Sequence, residues 1–113
     1  MAVADTARKT RNGATIDDRR SEQDKRRTLF FVVATDKFMS GWGNAPGRSF
    51  FAVPCESLEQ AEIVEDNMHH RSEMKRVRIV GHDYRPKLRS GDHYSIRDMS
   101  DCSRFYTKGG FRE

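Results

Sequence analysis

Four histidines, two cysteines and a dense set of arginines are the side chains in this sequence best able to do chemistry, and their spacing limits which chemistry is open. His69 and His70 are adjacent in a stretch that reads as helix, so their rings point about 100° apart and do not converge on one ion. His82 and His93 stand well away from them, with no HExxH pair and no Cys/His cluster at zinc-site spacing. Neither a metal nor another cofactor is expected. Cys55 and Cys102 lie 47 positions apart with no CxxC motif and are expected to be partly buried free thiols. A Cys102 or serine nucleophile working with His93 has no motif behind it. A histidine-based ribonuclease would need two histidines converging with a lysine, which spacing alone does not show. No catalytic residue is expected.

Binding chemistry is better represented. Between residues 71 and 97 stand eight basic side chains against three acids, a net +5. Residues 75–80 alternate basic and apolar, which turns Val77 and Ile79 toward a core and Arg76 and Arg78 outward. Together with Arg71, Lys75, Arg85, Lys87 and Arg89, and with Tyr84 or Tyr94 available for stacking, these residues form the candidate nucleic-acid-binding surface. The signature aromatics of the RRM fold are absent. The ordinary alternative is a solvated face whose arginines pair with carboxylates of the helix or of a second copy.

A second candidate is a loop. Residues 36–47 join two strand signals with twelve residues, whereas hairpin loops usually use two to five. The loop carries Phe38, Met39 and the single Trp42 among three glycines, and reads as a partner-binding loop, against the alternative that Trp42 folds back onto a small core. It is not a phosphate loop: Gly41-x-Gly43 lacks the third glycine, the following helix and the Lys-Ser/Thr pair.

The elements that must position these residues follow from periodicity. Residues 28–35 are apolar on both alternating faces (Leu29, Phe31, Val33 against Phe30, Val32, Ala34), the pattern of a central strand. Residues 48–53 repeat it until Pro54, which is expected to stop the strand. Ser57 and Gln60 have the capping-box spacing, and Leu58, Ala61, Val64 and Met68 form an apolar stripe, so a helix begins at Ser57. Strands follow over 75–80 and 93–97, the latter with Tyr94 and Ile96 inward, and Phe105, Tyr106 and Phe111 are expected to dock on the sheet. The expected fold is α+β: a small β-β-α-β-β sheet, residues 28–113, with one helix packed on one face.

Residues 1–27 hold eight Lys/Arg against five acids and no aromatic residue, and Ile16 is the only large apolar side chain between Thr15 and Arg27. Such a segment buries too little to offset its ordering entropy and reads as a flexible basic arm, with at most a fluctuating helix capped at Thr15. The net charge of +4 is thus polarised: +3 in the arm, −4 over residues 28–70, +5 over 71–97 and zero beyond. Mean hydropathy is −0.86. No apolar run approaches the roughly 18 residues of a spanning helix, and no signal peptide opens the chain, so a soluble cytoplasmic protein without membrane contact is expected.

The runs Val-Val-Ala-Thr-Asp-Lys-Phe-Met-Ser-Gly-Trp-Gly-Asn-Ala (32–45), Ser-Leu-Glu-Gln-Ala-Glu-Ile-Val-Glu-Asp-Asn (57–67), Arg-Ser-Glu-Met-Lys-Arg-Val (71–77) and Phe-Tyr-Thr-Lys-Gly-Gly-Phe (105–111) resemble a family of short uncharacterised proteins of bacteriophages and bacterial mobile elements. The resemblance covers about residues 28–111 and brings no catalytic residues with it. It implies an accessory gene product in the cytoplasm of a bacterial host, acting by binding. The leading expectation is a non-enzymatic protein that holds nucleic acid, DNA or RNA, through residues 71–97 and the arm, by phosphate neutralisation and counterion release. The alternative is a protein–protein inhibitor of a host defence complex, of anti-CRISPR or anti-restriction type, with the Trp42 loop at its centre. The charge pattern also suits a homodimer, acidic helix against basic strand.

Overall fold

The computed structural model describes residues 7–9, 13–36, 48–71 and 74–111. Along the chain these form β1 (Ala7–Lys9), β2 (Thr15–Asp18), α1 (Glu22–Arg27), β3 (Phe30–Asp36), β4 (Ser49–Cys55), α2 (Leu58–His69), β5 (Met74–Gly81), β6 (His93–Ile96), a 3₁₀ turn (Met99–Asp101) and α3 (Ser103–Tyr106). The six strands make one mixed sheet in the order β1-β2-β6-β4-β3-β5, with β6 parallel to both β2 and β4 and the other pairs antiparallel. The α+β class read from the sequence is the one observed.

Both faces of β3 are buried, as its double apolar pattern requires, and each face belongs to a different core. Val32 and Ala34 join Val53, Cys55, Ala61, Val64, Met68, Met74 and Phe105 beneath α2 and α3. Phe31 and Val33 join Ala52, Tyr94 and Ile96 on the far face. Tyr94 and Ile96 are therefore inward, but away from the helix. Residues 82–92, which contain no regular element, run back across that face and contribute Tyr84 and Leu88 to its core.

The helix α2 forms where its signals lie. Ser57 Oγ accepts the Gln60 N–H at 3.1 Å, and Gln60 Oε1 accepts the Glu56 N–H at 2.7 Å, a capping box closed one residue early. Ala61, Val64 and Met68 are fully buried, whereas Leu58, counted in the same stripe, lies in the first turn and is half exposed. Asn67 completes the stripe instead: its Nδ2 donates to the carbonyls of Phe105 (2.7 Å) and Thr107 (2.8 Å) and fastens α3 to α2.

Three expectations need correction. Pro54 does not stop β4, which runs to Cys55 with Pro54 opposite Phe31. The N–H groups of His93 and Arg97 reach the carbonyls of Arg48 and Ala52, so even-numbered residues of β4 address β6. Pairing with β6 ends at Ala52, so the missing N–H of Pro54 falls where no partner strand remains. Its carbonyl, on the same open side, accepts from the Tyr106 hydroxyl at 2.6 Å.

Second, residues 15–27 are laid into the fold and do not trail from it. Thr15 begins a strand, not a helix: β2 pairs in parallel with β6 and sets Ile16 against the far core. The helix that follows starts at Glu22, capped by Ser21 Oγ on the Asp24 N–H. Asp24 is 7% exposed and accepts the Met99 N–H at 3.1 Å, while its carbonyl takes the N–H and hydroxyl of Thr28. Backbone pairing and buried hydrogen bonds do for this segment what its few apolar residues do not. Third, β5 carries a bulge, described below.

One buried carboxylate joins several of these pieces. Asp92 is 1% exposed. Its oxygens accept the backbone N–H of Arg48 (2.9 Å) and of Arg89 (2.8 Å) and the Arg48 guanidinium (3.2 Å). Its carbonyl accepts the Thr15 N–H at 2.8 Å. Burial by itself would raise the carboxyl, but these donors outweigh it and hold the group below the ordinary carboxylate value.

Asp92→Asn keeps the shape and removes the charge, and is expected to lower stability by about 2–4 kcal/mol near neutral pH. Because the folded carboxyl titrates below the unfolded one, its contribution is complete above about pH 4 and is lost as pH falls through the depressed folded value. Urea unfolding should show the gap between the two proteins closing in that acid range. A gap that stays constant with pH would mean that the charge of Asp92 is not what holds these segments.

Candidate functional site

The basic face is built on β5, the outermost strand beside β3. Pairing with β3 runs regularly from Gly81 to Arg78, then slips: Val33 faces Arg78 but Thr35 faces Lys75. One extra residue has been admitted to β5. Arg76 sits at the slip with φ 58, in the left-handed region that side chains other than glycine seldom occupy. The bulge restores the apolar register, since Met74, three residues before Val77, now joins the same helix-side core as Val77 and Ile79. It also divides the arginines. Arg78 and Lys75 take register positions opposite Val33 and Thr35, on the far face, while Arg76 occupies the bulge, so Arg76 and Arg78 are not the neighbours that simple alternation predicts.

Tyr84 organises the next part. Its N–H closes a turn on the Gly81 carbonyl (3.1 Å), and its ring packs against the far core. Arg78 Nη2 donates to the Tyr84 hydroxyl at 2.7 Å, with the guanidinium carbon 5.2 Å from the ring centroid. Arg85 Nη1 donates to the Tyr84 carbonyl at 3.0 Å. Lys87 and Arg89 are exposed farther along, and the Arg89 backbone is anchored by Asp92. Arg71 goes elsewhere: its guanidinium lies 5.8 and 5.4 Å from the ring centroids of Phe105 and Phe111, against the helix-side aromatics. Of the seven basic residues singled out in the sequence, the structure therefore gathers Lys75, Arg78 and Arg85 about one face, continues them with Lys87 and Arg89, holds Arg76 at the strand's bulge and separates Arg71.

The distribution of carboxylates decides what these cations are free to do. Asp17 pairs with Arg19 (3.1 Å), Asp18 with Arg20 (2.6 Å), Glu56 with Arg27 and Asp92 with Arg48 (3.2 Å). Among the described residues, no carboxylate pairs with Lys75, Arg76, Arg78, Arg85, Lys87 or Arg89. The described acids of α2, the partners that the linear charge pattern offered, form no ion pair with them. Arg20 was not foreseen at this site. It stacks 5.0 Å from the Phe31 ring centroid and grips Asp18 with both arms of its fork, at 2.9 and 2.6 Å. The Asp18-x-Arg20 spacing is the signal that could have placed it, once β2 is known to be a strand.

The remaining candidates are scattered. Phe38, Met39 and Trp42 lie outside the described residues; the residues flanking that loop, Asp36 and Arg48, stand at the end of the sheet where β5 begins and Asp92 is buried. His69 and His70 end α2, His82 follows β5 and His93 opens β6, at the opposite end of the sheet from His82. Among the described residues, no group of three or more His, Cys, Asp or Glu is placed to hold a metal ion. Cys55 and Cys102 are free and buried in the helix-side core, and burial pushes each thiol up to about 12, which makes them poor nucleophiles. No described helix is long and apolar enough to cross a membrane. Comparison of the chain with protein-family models, with curated proteins and with solved structures finds no match.

The left-handed Arg76 costs about 1–2 kcal/mol, of which glycine's greater chain entropy takes back about 0.5–1. Arg76→Gly is therefore expected to raise stability by about 0.5–1 kcal/mol, and Arg76→Val to lower it. Thermal melts of the two variants check this, and a lower melting temperature for the glycine variant than for the parent would show that the bulge is not strained.

Proposed function

We propose that this protein binds nucleic acid, without catalysing a reaction on it, through the cationic surface formed by β5 and residues 82–89. The observation that carries this reading is that, among the described residues, no carboxylate pairs with any of the six cations between Lys75 and Arg89, while Asp17, Asp18, Glu56 and Asp92 are paired with Arg19, Arg20, Arg27 and Arg48. Cations left unneutralised on one surface attract a polyanion, and release of its condensed counterions supplies the free energy of binding. Arg78 and Arg85 each give one donor to Tyr84 and keep the rest of the fork for phosphate oxygens. Tyr84 thus orients two guanidinium groups without discharging them. A strained Arg76 at the same edge supports the reading, since backbone strain tends to be kept where a side chain is used.

The part first assigned to the basic arm becomes smaller. Arg19, Arg20, Lys25 and Arg27 are engaged with acids and belong to the fold, so residues 75–89 carry the proposal. Such contacts hold the backbone and confer little sequence preference. The setting we propose, an accessory protein of a bacteriophage or mobile element in a bacterial cytoplasm, rests on the resemblance of residues 28–111 alone.

Fluorescence anisotropy with labelled DNA and RNA oligonucleotides tests the surface. The double variant Arg78→Glu/Arg85→Glu is expected to bind at least about tenfold more weakly, and its slope of log affinity against log salt should be shallower by about 1.5–2, the share of two phosphate contacts. Equal affinity and equal salt slope in parent and variant would remove these residues from the interface.

A further inference from the structure

The outer edge of β5 is a row of main-chain groups to which the described residues offer no second strand. Even-numbered residues of β4 address β6, so its odd-numbered residues address β3, and their partners Val32 and Ala34 face back toward β4. Phe31 and Val33 therefore face β5, and their partners Val80 and Arg78 face β3 in turn. The N–H and C=O of Val77 and Ile79 and the N–H of Gly81 point the other way, off the sheet, and no described residue bonds them. The Gly81 carbonyl accepts the Tyr84 N–H. This edge is regular from Val77 to Gly81 and is interrupted ahead of Val77 by the bulge at Arg76.

The two sides of this edge differ in chemistry. Val77 and Ile79, whose main chain points outward, put their side chains on the helix side, where they pack on the core but stay partly exposed. Arg78, between them, stands on the far face, exposed and without a carboxylate among the described residues. Side chains alternate in the same way along any strand laid on the edge. Its residues opposite Val77 and Ile79 would cover apolar surface, and the residue opposite Arg78 would meet a cation. We propose that the edge of β5 takes, as an added strand, an extended segment of an acidic partner protein in which apolar and acidic residues alternate. The main-chain groups hold the segment, and Arg78 with the two apolar side chains selects it. The site is distinct from the nucleic-acid surface in its main-chain groups and shares Arg78 with it.

Charge decides the occupant. Lys75, Arg76 and Arg78 stand along β5, and β1, the other outer strand, has the sequence Ala-Arg-Lys. Pairing β5 with an outer strand of a second copy therefore brings cation against cation. Cations and a bulge are the usual guard of an edge against its own kind. Toward a strand that carries carboxylates the same cations are attractive, and the bulge leaves the stretch from Val77 onward free to pair. In an antiparallel pairing Arg78 would occupy a position without hydrogen bonds across to the new strand, where opposed side chains stand closest, which suits an arginine–carboxylate contact. Tyr84 takes one donor of Arg78 and leaves the others.

The end-blocked peptide Val-Glu-Val-Glu-Val-Glu-Val tests the site, because its valines are the residues whose main chain would face β5. Methylating the glutamate nitrogens leaves that side intact and prevents the peptide from pairing on its other side, whereas methylating the valine nitrogens removes the donors that β5 needs. In fluorescence anisotropy the labelled glutamate-methylated peptide is expected to bind the parent at least about tenfold more tightly than the valine-methylated one, the worth of two or more main-chain hydrogen bonds. It is expected to bind Arg78→Glu about 3–10-fold more weakly than the parent. Equal affinity of the parent for the two peptides would mean that an acidic peptide merely collects on a basic surface, and binding of neither would mean that the edge takes no strand; each overturns the proposal. Unchanged affinity in Arg78→Glu would remove the acidic partner. A protein that sediments as a dimer and admits neither peptide would give the edge to a second copy, against the proposal. Oligonucleotide binding is read separately with Arg78→Glu/Arg85→Glu, so the strand site and the nucleic-acid surface can each fail while the other stands.

Discussion

A carboxylate with 1% of its surface in water sets the arrangement of this fold. Asp92 is the point at which four parts of the chain meet: its carbonyl starts β2 at Thr15, its oxygens hold the backbone ahead of β4 at Arg48 and the end of the covering segment at Arg89, and the next residue opens β6. None of these contacts is close in sequence except that with Arg89, and together they bring both parallel partners of β6 into register at the same end. A buried charge is tolerable only when donors surround it. The dependence runs both ways: without Asp92 the N–H groups of Arg48 and Arg89 lose their acceptor, and without them the charge has no reason to be inside. The covering segment, which carries Tyr84, Arg85 and Leu88, is fastened at this end by Asp92 and at the other by the Tyr84 N–H on the Gly81 carbonyl, with Tyr84 and Leu88 packed on the far core between them.

Elements with local causes were legible in the sequence. The capping box at Ser57 and Gln60, the stripe of α2 from Ala61 to Met68 and the two apolar faces of β3 from Phe30 onward are written in residues a few positions apart and form where they were expected, whereas Leu29 and Leu58, at the start of each pattern, stay half exposed. The elements that were misread have causes far away. Residues 15–18 carry one large apolar side chain and look unable to fold alone, yet β6, nearly eighty residues on, supplies the backbone partners. Pro54 looks like a stop, but whether a proline breaks a strand depends on which side its absent N–H would face, and here that side is open. The bulge at Arg76 is illegible for a similar reason: only the demand that Met74 and Val77 share a core with α2 reveals that the strand has one residue too many.

The candidate site was partly legible, because charge can be counted and pairing cannot. The sum over residues 71–97 marked the region correctly as cationic but gave no means of telling a neutralised arginine from an exposed one. In the structure four of the described acids take arginine partners, near in sequence for Asp17 with Arg19 and Asp18 with Arg20, across the fold for Glu56 with Arg27 and Asp92 with Arg48. The acidic helix, which the linear charge pattern offered as a natural partner for the basic strand, packs its apolar side on the helix-side core while Arg78 and Lys75 take far-face positions. The sheet itself keeps the two charges apart.

That separation explains why Arg71 and Arg78, alike in type and seven residues apart, serve different ends. Arg71 follows α2 and stacks on Phe105 and Phe111, so its guanidinium covers the rim of the aromatic cluster that seats α3. Arg78 lies across the sheet over Tyr84, whose ring and hydroxyl hold it without neutralising it. An arginine held by an aromatic ring keeps its full charge, because the ring's quadrupole attracts the cation without supplying a counter-charge. On the helix side that charge sits over rings already committed to packing. On the far face it shares its side of the sheet with Lys75, and among the described residues no carboxylate pairs with either.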